Sequence, residues 1–225
     1  MTFFGTALRR RPLLLLGALG LAVCLALVAE VAARSVVAGR MADGAERRLK
    51  VRPEIRFGTS PVLLHLAEGG FPEVGVSGHD ATFGDFSGIS FDARLSDVER
   101  RDDGVSVRRS SVRADVGADA LGADAGAVVE ADPGAGVLVA HAGPGGLVRI
   151  PLTPALDGTR IELRPGEPTF DGTALPPLLA DRVTEQAART IPLTGLPLDL
   201  RPRSLSVTED GLRLQLTGGP ARFAV

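Results

Sequence analysis

Hydrophobic and polar residues alternate with a period of two in the middle of the chain. From residue 89 to residue 96, apolar side chains occupy the odd positions and polar side chains the even ones. Such alternation is typical of a strand with one buried face. Asp102-Asp103-Gly104 then supplies a tight turn, and alternation resumes from Val105 to Val116. The pattern predicts a β-hairpin.

Two further hairpins are predicted by the same signals. Apolar residues at 137–140 and 147–150 flank Gly143-Pro144-Gly145-Gly146, and those at 205–207 and 212–216 flank Glu209-Asp210-Gly211. One antiparallel sheet could hold all three hairpins. Later in the chain, Leu175, Leu178, Leu179, Val183, Ala187 and Ile191 keep helical spacing. They predict a helix that can cover the sheet.

Two helical patterns precede the strands. Residues 34–52 show the spacing of an amphipathic stalk helix. Ser60-Pro61 then provides an N-cap and a first-turn proline for a short helix over residues 62–67, which Gly69-Gly70 ends. That helix is apolar on nearly every face, so we expect it to be buried or to face something other than water.

The N-terminus carries a membrane-targeting pattern. Arg9, Arg10 and Arg11 precede an apolar run over residues 13–29, which ends at Glu30. The run is long enough to span a bilayer, and the basic cluster should stay in the cytoplasm. We therefore expect a cytoplasmic stub and anchor or signal segment at 1–33, the stalk at 34–52 and one extracytoplasmic α+β domain at 53–225.

Small residues at Val31-Ala32-Ala33 would allow a signal peptidase to cut, whereas the length of the apolar run favours an uncleaved anchor. The expected location is the cell membrane, with a single span and the C-terminal domain outside. Cleavage would instead release the domain into the envelope.

Composition excludes several classes of function. The formal net charge is −2, the pI is about 6.0, and the chain has no Trp or Tyr, so we expect no nucleic-acid partner. The single cysteine, Cys24, lies in the apolar run, and the three histidines are far apart in sequence. We expect no metal site.

Catalytic signatures are also missing. The segment Gly75-Val76-Ser77-Gly78-His79 lacks the second glycine of a nucleophile elbow, and no phosphate-binding or dinucleotide glycine pattern occurs. We expect a protein that is not an enzyme, with no catalytic residues and no cofactor.

Four segments together resemble a known family. They are Ile-Arg-Phe-Gly-Thr-Ser-Pro-Val-Leu-Leu at 55–64, Leu-Pro-Pro-Leu-Leu at 175–179, Gly-Leu-Pro-Leu at 195–198 and Val-Thr-Glu-Asp-Gly-Leu at 207–212. With the N-terminal apolar run, they are similar to the LmeA family of actinobacterial phospholipid-binding envelope proteins, from about residue 44 onward. The resemblance implies an α+β fold like that of the tubular lipid-binding proteins, with a curved antiparallel sheet wrapped with one or two helices around an acyl-chain cavity. Some members are tied to mannan and lipoglycan assembly.

An acyl chain needs only aliphatic walls without water, because burial alone stabilises it by about 0.8 kcal/mol per methylene. The alternative for each candidate wall residue is a closed core, since protein interiors normally pack without large voids. The apolar loop at 195–198 could line an opening, touch the bilayer or form a buried crossover. The candidates are Val62, Leu63, Leu66, Phe71, Phe83, Phe86, Ile89, Phe91, Leu178, Leu179, Val183, Leu196 and Leu198.

A phosphate head group would favour arginine at the mouth of such a cavity, because a guanidinium forms paired hydrogen bonds to phosphate oxygens. Arg56, Arg182, Arg189 and Arg201 are the candidates, and solvated surface positions are the alternative for all four.

The sequence thus predicts non-catalytic binding, with possible transfer, of phospholipid or an acyl glycolipid at the outer face of the cytoplasmic membrane, in support of cell-envelope biogenesis. The first alternative is a membrane-anchored scaffold for envelope biosynthesis proteins, which would need no lipid cavity. An enzyme with an unfamiliar site is the second.

Overall fold

The structure, a computed structural model, describes residues 25–39, 52–58, 61–83, 86–101, 104–123 and 126–223. Its first element is a helix, α1, over residues 25–39. The predicted stalk continues to residue 52; its residues 40–51 lie outside the described residues, and Arg52 is described but is not helical. Most of the apolar run at 13–29 also lies outside the described residues. Among the described residues, no helix is long and apolar enough to cross a membrane.

Fourteen strands follow among the described residues, and every pairing between them is antiparallel. The first sheet has seven strands in the order β1-β2-β3-β4-β13-β12, with β14 also paired to β4. Their bounds are β1 Glu54–Phe57, β2 Gly70–Phe83, β3 Phe86–Arg101, β4 Gly104–Gly117, β12 Arg201–Thr208, β13 Gly211–Gly218 and β14 Ala221–Phe223.

The second sheet also has seven strands. Its order is β10-β9-β7-β6-β5, and β8 joins β7 to β11. The bounds are β5 Val128–Asp132, β6 Val137–Ala142, β7 Val148–Asp157, β8 Arg160–Pro165, β9 Thr169–Phe170, β10 Thr173–Ala174 and β11 Arg189–Pro192.

Three helices complete the described fold, with two short 3₁₀ turns at Pro144–Gly146 and Pro197–Asp199. They are α2 at Val62–Glu68, α3 at Ala118–Ala123 and α4 at Pro177–Ala187. The prediction of α2 is confirmed. The predicted later helix is confirmed only over Pro177–Ala187, since Leu175 precedes α4 and Arg189–Pro192 forms strand β11 beside β8.

The three predicted hairpins are present, and the α+β class with antiparallel sheets is confirmed. The expectation that one sheet could hold all three is wrong. The hairpins β3–β4 and β12–β13 belong to the first sheet, whereas β6–β7 belongs to the second. A hairpin can pair its own two strands equally well in either sheet, so its sequence does not say which neighbours it will have.

Register gives the first sheet two different faces. Residues paired across neighbouring strands point to the same side, and one row runs Ile55, Val76, Ala93, Val112, Leu216 through five strands. We call this side the inner face. The opposite, outer face carries polar residues, including an ion pair in which the Arg213 Nε donates to the Asp115 Oδ1 at 2.6 Å.

Two clusters of buried side chains hold the fold. The larger cluster joins the sheets, because Leu212, Leu214 and Leu216 of β13 pack with Leu138 and Ile150 of the second sheet. The smaller cluster lies on the first sheet and centres on three valines with partly buried neighbours. Its members are Val74, Val98 and Val107, with Ile55, Phe57, Phe71, Val76, Leu95, Val105 and Leu198 around them.

Candidate functional site

An apolar patch on the inner face of the first sheet lies outside both clusters. Its residues are Ala81, Ile89, Phe91, Ala93 and Val116, which we call the apolar strip. Register aligns them, since Ala81 pairs with Ile89 and Ile89 with Val116. The two alanines are buried, whereas Ile89, Phe91 and Val116 are only half-buried. The strip is therefore an apolar surface that the fold leaves partly uncovered.

The position of the Phe91 ring depends on Gly78. A Cβ at Gly78 would lie 2.7 Å from the Phe91 Cε1 and 2.9 Å from its Cζ. The ring therefore rests over the backbone of β2, and a side chain at residue 78 would push it away. The strip itself contains no polar side chain.

The loop between β11 and β12 connects the two clusters. Leu193, Leu196 and Leu200 pack with the larger cluster, and Leu198 packs with the smaller one. Leu198 has φ +64° and the next residue, Asp199, has φ +48°. Such backbone values are uncommon in residues other than glycine, and surrounding packing must hold them.

Gly218 provides that packing. A Cβ at Gly218 would lie 2.3 Å from both the Leu198 carbonyl oxygen and the Ser110 Oγ. Because one of these atoms belongs to the backbone, the loop could not make room by a rotamer change. The Ser110 hydroxyl is buried and has no hydrogen-bond partner among the described residues.

We expect Gly218→Ala to lower the free energy of unfolding by about 2 kcal/mol, because overpacking a closed contact displaces the backbone. Gly219→Ala is the matched control, since nothing lies within 4 Å of a Cβ there, and it should change stability by less than about 0.5 kcal/mol. Urea unfolding of both variants measures the difference. Equal stabilities would show that the loop does not need this contact.

A carboxylate from α1 caps the short helix α2. The backbone N–H groups of Val62 and Leu63 both donate to the Glu30 carboxylate, and the Leu63 nitrogen lies 3.0 Å from the Glu30 Oε2. The Arg34 Nε donates to the same carboxylate, at 2.9 Å from Oε1. The hydrogen bond from Leu63, followed by that from Val62 and then by Arg34, lowers the pKa of Glu30 below its ordinary 4.5.

The sequence pattern indicated a different cap. Ser60 lies outside the described residues, and the residue before α2 is Pro61, which makes no side-chain cap. The capping group comes from Glu30, 32 residues earlier. No local sequence motif indicates a hydrogen-bond acceptor so far away in the chain, so the sequence analysis did not identify Glu30 as the cap.

We expect Glu30→Ala to speed hydrogen exchange of the Val62 and Leu63 amides several-fold at a matched neutral pH, because it removes their acceptor. Glu30 has a lowered folded pKa, so its contribution is complete above pH 4.5 and is lost as the pH falls through the lowered value. The His65 amide, which donates to the Pro61 carbonyl oxygen, is the internal control. Unchanged exchange of all three amides would contradict the cap.

A family model described as LmeA-like phospholipid-binding matches residues 26–217, which is most of the chain. The chain belongs to the LmeA-like phospholipid-binding family. The match begins inside the apolar run and covers α1 except its first residue, the apolar strip and both clusters. Neither a curated protein nor a solved structure matches the chain.

The residues predicted to line a cavity in this LmeA-like chain occupy several environments. Ile89 and Phe91 lie together on the apolar strip, and Phe71 and Leu198 meet in the smaller cluster. Val62 is buried. Phe83 and Phe86 pair at the ends of β2 and β3, and their side chains lie outside the described part of the structure.

The other predicted wall residues lie elsewhere. Leu63 and Leu66 are exposed on α2, which contacts β2, whereas Leu178 and Leu179 are exposed on α4, which contacts β8 of the second sheet. Val183 and Leu196 pack against the larger cluster. Nothing in this arrangement tests which of these residues contact lipid, and their role stays a prediction.

The four candidate head-group arginines are all exposed and stand on four different elements. Arg56 is on β1, where its Nε lies 3.3 Å from the Glu54 Oε1 and its guanidinium donates to the Ser77 Oγ at 3.0 Å. Arg182, Arg189 and Arg201 are on α4, β11 and β12. Their role also stays a prediction.

A different part of the LmeA-like fold forms an open cavity of about 380 Å³. Its walls are mostly backbone and small side chains of Gly122–Ala123, Gly126–Val128 and the β6–β7 turn, and it includes His141, whose Nε2 lies 3.2 Å from the Glu130 Oε2. None of the predicted site residues lines it. Among the described residues, no group of three or more His, Cys, Asp or Glu side chains could hold a metal ion.

Proposed function

We propose that this LmeA-like protein binds a phospholipid, or a related acyl lipid, without catalysis, and that the apolar strip holds the acyl chain. The observation that carries the proposal is a half-buried hydrocarbon surface, built around Phe91, in a chain of a phospholipid-binding family. Burying about six methylenes against such a surface would contribute about 5 kcal/mol before the cost of ordering the chain.

The faces of the first sheet favour a particular arrangement of the lipid. The inner face offers no charged side chain along the strip, so a phosphate would remain at its edge or in water. The outer face carries residues such as Arg94, Arg113 and Asp115, which suit solvent. We therefore propose that the acyl chain lies on the inner face and that the head group stays outside it.

The proposed location rests on the sequence pattern at the N-terminus. With the basic cluster at Arg9–Arg11 and the apolar run at 13–29, we propose a single membrane span with the domain at the outer face of the cytoplasmic membrane. There the protein would hold or transfer lipid in support of cell-envelope biogenesis. Cleavage near residue 33 would give the same domain free in the envelope.

Photo-cross-linking tests the proposal. The full chain is reconstituted into vesicles that contain a phospholipid with a photoreactive group on its acyl chain, and the adducts are mapped by peptide mass spectrometry. We expect adducts on inner-face residues of β2 to β4, in addition to those on the apolar run.

Adducts confined to the apolar run would refute lipid binding by the domain. That result would favour the scaffold hypothesis, in which the same fold presents its surface to envelope biosynthesis proteins. The two functions are separated by this single measurement because a scaffold requires no contact between acyl chains and the first sheet.

A further inference from the structure

Helix α2 exposes three leucines. Leu63, Leu64 and Leu66 are 41–53% exposed, and only Val62 at the start of the helix is buried. The remaining residues of the helix are His65, Ala67 and Glu68. A contiguous group of exposed leucines is unusual on a water-facing surface and marks an interaction site.

Helix α1 exposes a second apolar surface at the end of the apolar run. Leu25, Leu27, Val28 and Val31 are 61–67% exposed. Their helix begins inside the run that the sequence assigns to the membrane, and a helix rises only about 1.5 Å per residue. These residues therefore lie within about two turns of the point where the run ends.

Glu30 places the two apolar surfaces side by side. It is the first charged residue after the run, and its carboxylate binds the N–H groups of Val62 and Leu63. Helix α2 therefore starts at the level at which the chain leaves the apolar run. A bilayer that surrounds residues 13–29 would also meet the leucines of α2.

We propose that α2 docks into the outer leaflet of the lipid bilayer, with Leu63, Leu64 and Leu66 in its apolar boundary. Binding at the interface of a bilayer strengthens with the apolar area that enters it and with the attraction between basic residues and anionic lipids. The sequence over residues 34–52 has six basic residues against two acidic ones, so its charge complements an anionic membrane surface.

Docking would also provide the lipid with access to the proposed site, and this step rests on the proposed function. Gly69 ends α2 and the chain enters β2, where the Phe71 ring centroid lies 6.0 Å from that of His65 and 5.1 Å from that of Phe57. Phe71 and Phe57 belong to the smaller cluster, which continues onto the inner face. Apolar contacts thus lead from α2 to the first sheet.

The test measures the depth of two leucine positions in the full chain. Cys24, the sole cysteine, is replaced by Ser, and Leu64→Cys carries a fluorescent label in vesicles of phosphatidylcholine and phosphatidylglycerol. Leu178→Cys on α4 is the matched control, because it is an exposed leucine at 82%. Quenchers are a nitroxide phospholipid in the bilayer and iodide in water.

We expect the label at residue 64 to be quenched by the nitroxide lipid and shielded from iodide, and the label at residue 178 to show the reverse. Equal iodide quenching at the two positions would overturn the proposal. Glu30→Ala should raise iodide quenching at residue 64 several-fold. An unchanged value would show that Glu30 does not hold α2 at the membrane surface. Circular dichroism confirms that each variant is folded.

Cross-linking on the same vesicles separates this proposal from the proposed function. A label in water at residue 64, with adducts on the first sheet, would refute docking and leave lipid binding intact. A label in the bilayer without such adducts would support docking and refute binding of the acyl chain by the strip.

Discussion

Phe91→Glu should reduce acyl-chain cross-linking to the first sheet at least about tenfold. Phe91 lies at the centre of the apolar strip, half-buried and above Gly78. A carboxylate there must either lose its hydration when an acyl chain covers it or keep the chain away. Either cost exceeds the 1.4 kcal/mol that corresponds to a tenfold change in affinity.

Ser90→Glu is the matched control. It adds the same charge one residue away on the same strand, but the side chain points to the polar outer face, where Ser90 pairs with Asp115. Cross-linking of this variant should stay close to that of the unmodified protein. If both variants lose adducts equally, the effect comes from charge or folding, and the strip is not the binding surface.

The hairpins were predictable because their signals are local. Alternation over residues 89–95 assigns Ile89 and Phe91 to one face of a strand, and the structure places both on the inner face. The turn signals fixed where each strand reverses. Side-chain period and turn chemistry depend only on nearby residues, so a single sequence reveals them.

The assembly of the sheets was not predictable in the same way. Strand β13 pairs with β4, so that Arg213 lies beside Asp115, 98 residues earlier in the chain. Period-two alternation says that a strand has an apolar face but does not say which strand lies beside it. Whether the strands form one sheet or two depends on packing between residues that lie this far apart in the sequence.

The sequence pattern also did not reveal which apolar residues of the helices are exposed. Leu179 and Val183 are four residues apart and so lie on one side of α4, yet Val183 packs on the larger cluster while Leu179 is 52% exposed. Periodicity defines an apolar stripe on a helix, but the part of that stripe that meets the protein depends on how the helix is placed. The cap from Glu30 depends on a contact of the same long-range kind.

Leu138→Ala should produce the largest loss of stability. Leu138 is 0% exposed in β6 and packs in the larger cluster. Removing its side chain gives up the transfer free energy of the buried atoms and leaves a cavity, so we expect the free energy of unfolding to fall by about 3 kcal/mol. Urea unfolding followed by circular dichroism measures this, and Leu178→Ala, at a solvent-exposed leucine, should cost less than about 0.5 kcal/mol.

The same variant tests whether the two sheets unfold together. Labels at Val128→Cys on β5 and Arg94→Cys on β3 report separately on the second and first sheets, and both positions are exposed. Because the larger cluster contains leucines from both sheets, loss of Leu138 should shift both midpoints by the same amount. Among the described residues of strands β1 to β3, the buried apolar side chains are few and small: Val74, Val98 and two alanines. That is too small a core to offset the entropy of ordering those strands independently. Two separate midpoints would mean that the face carrying Phe91 folds without the second sheet.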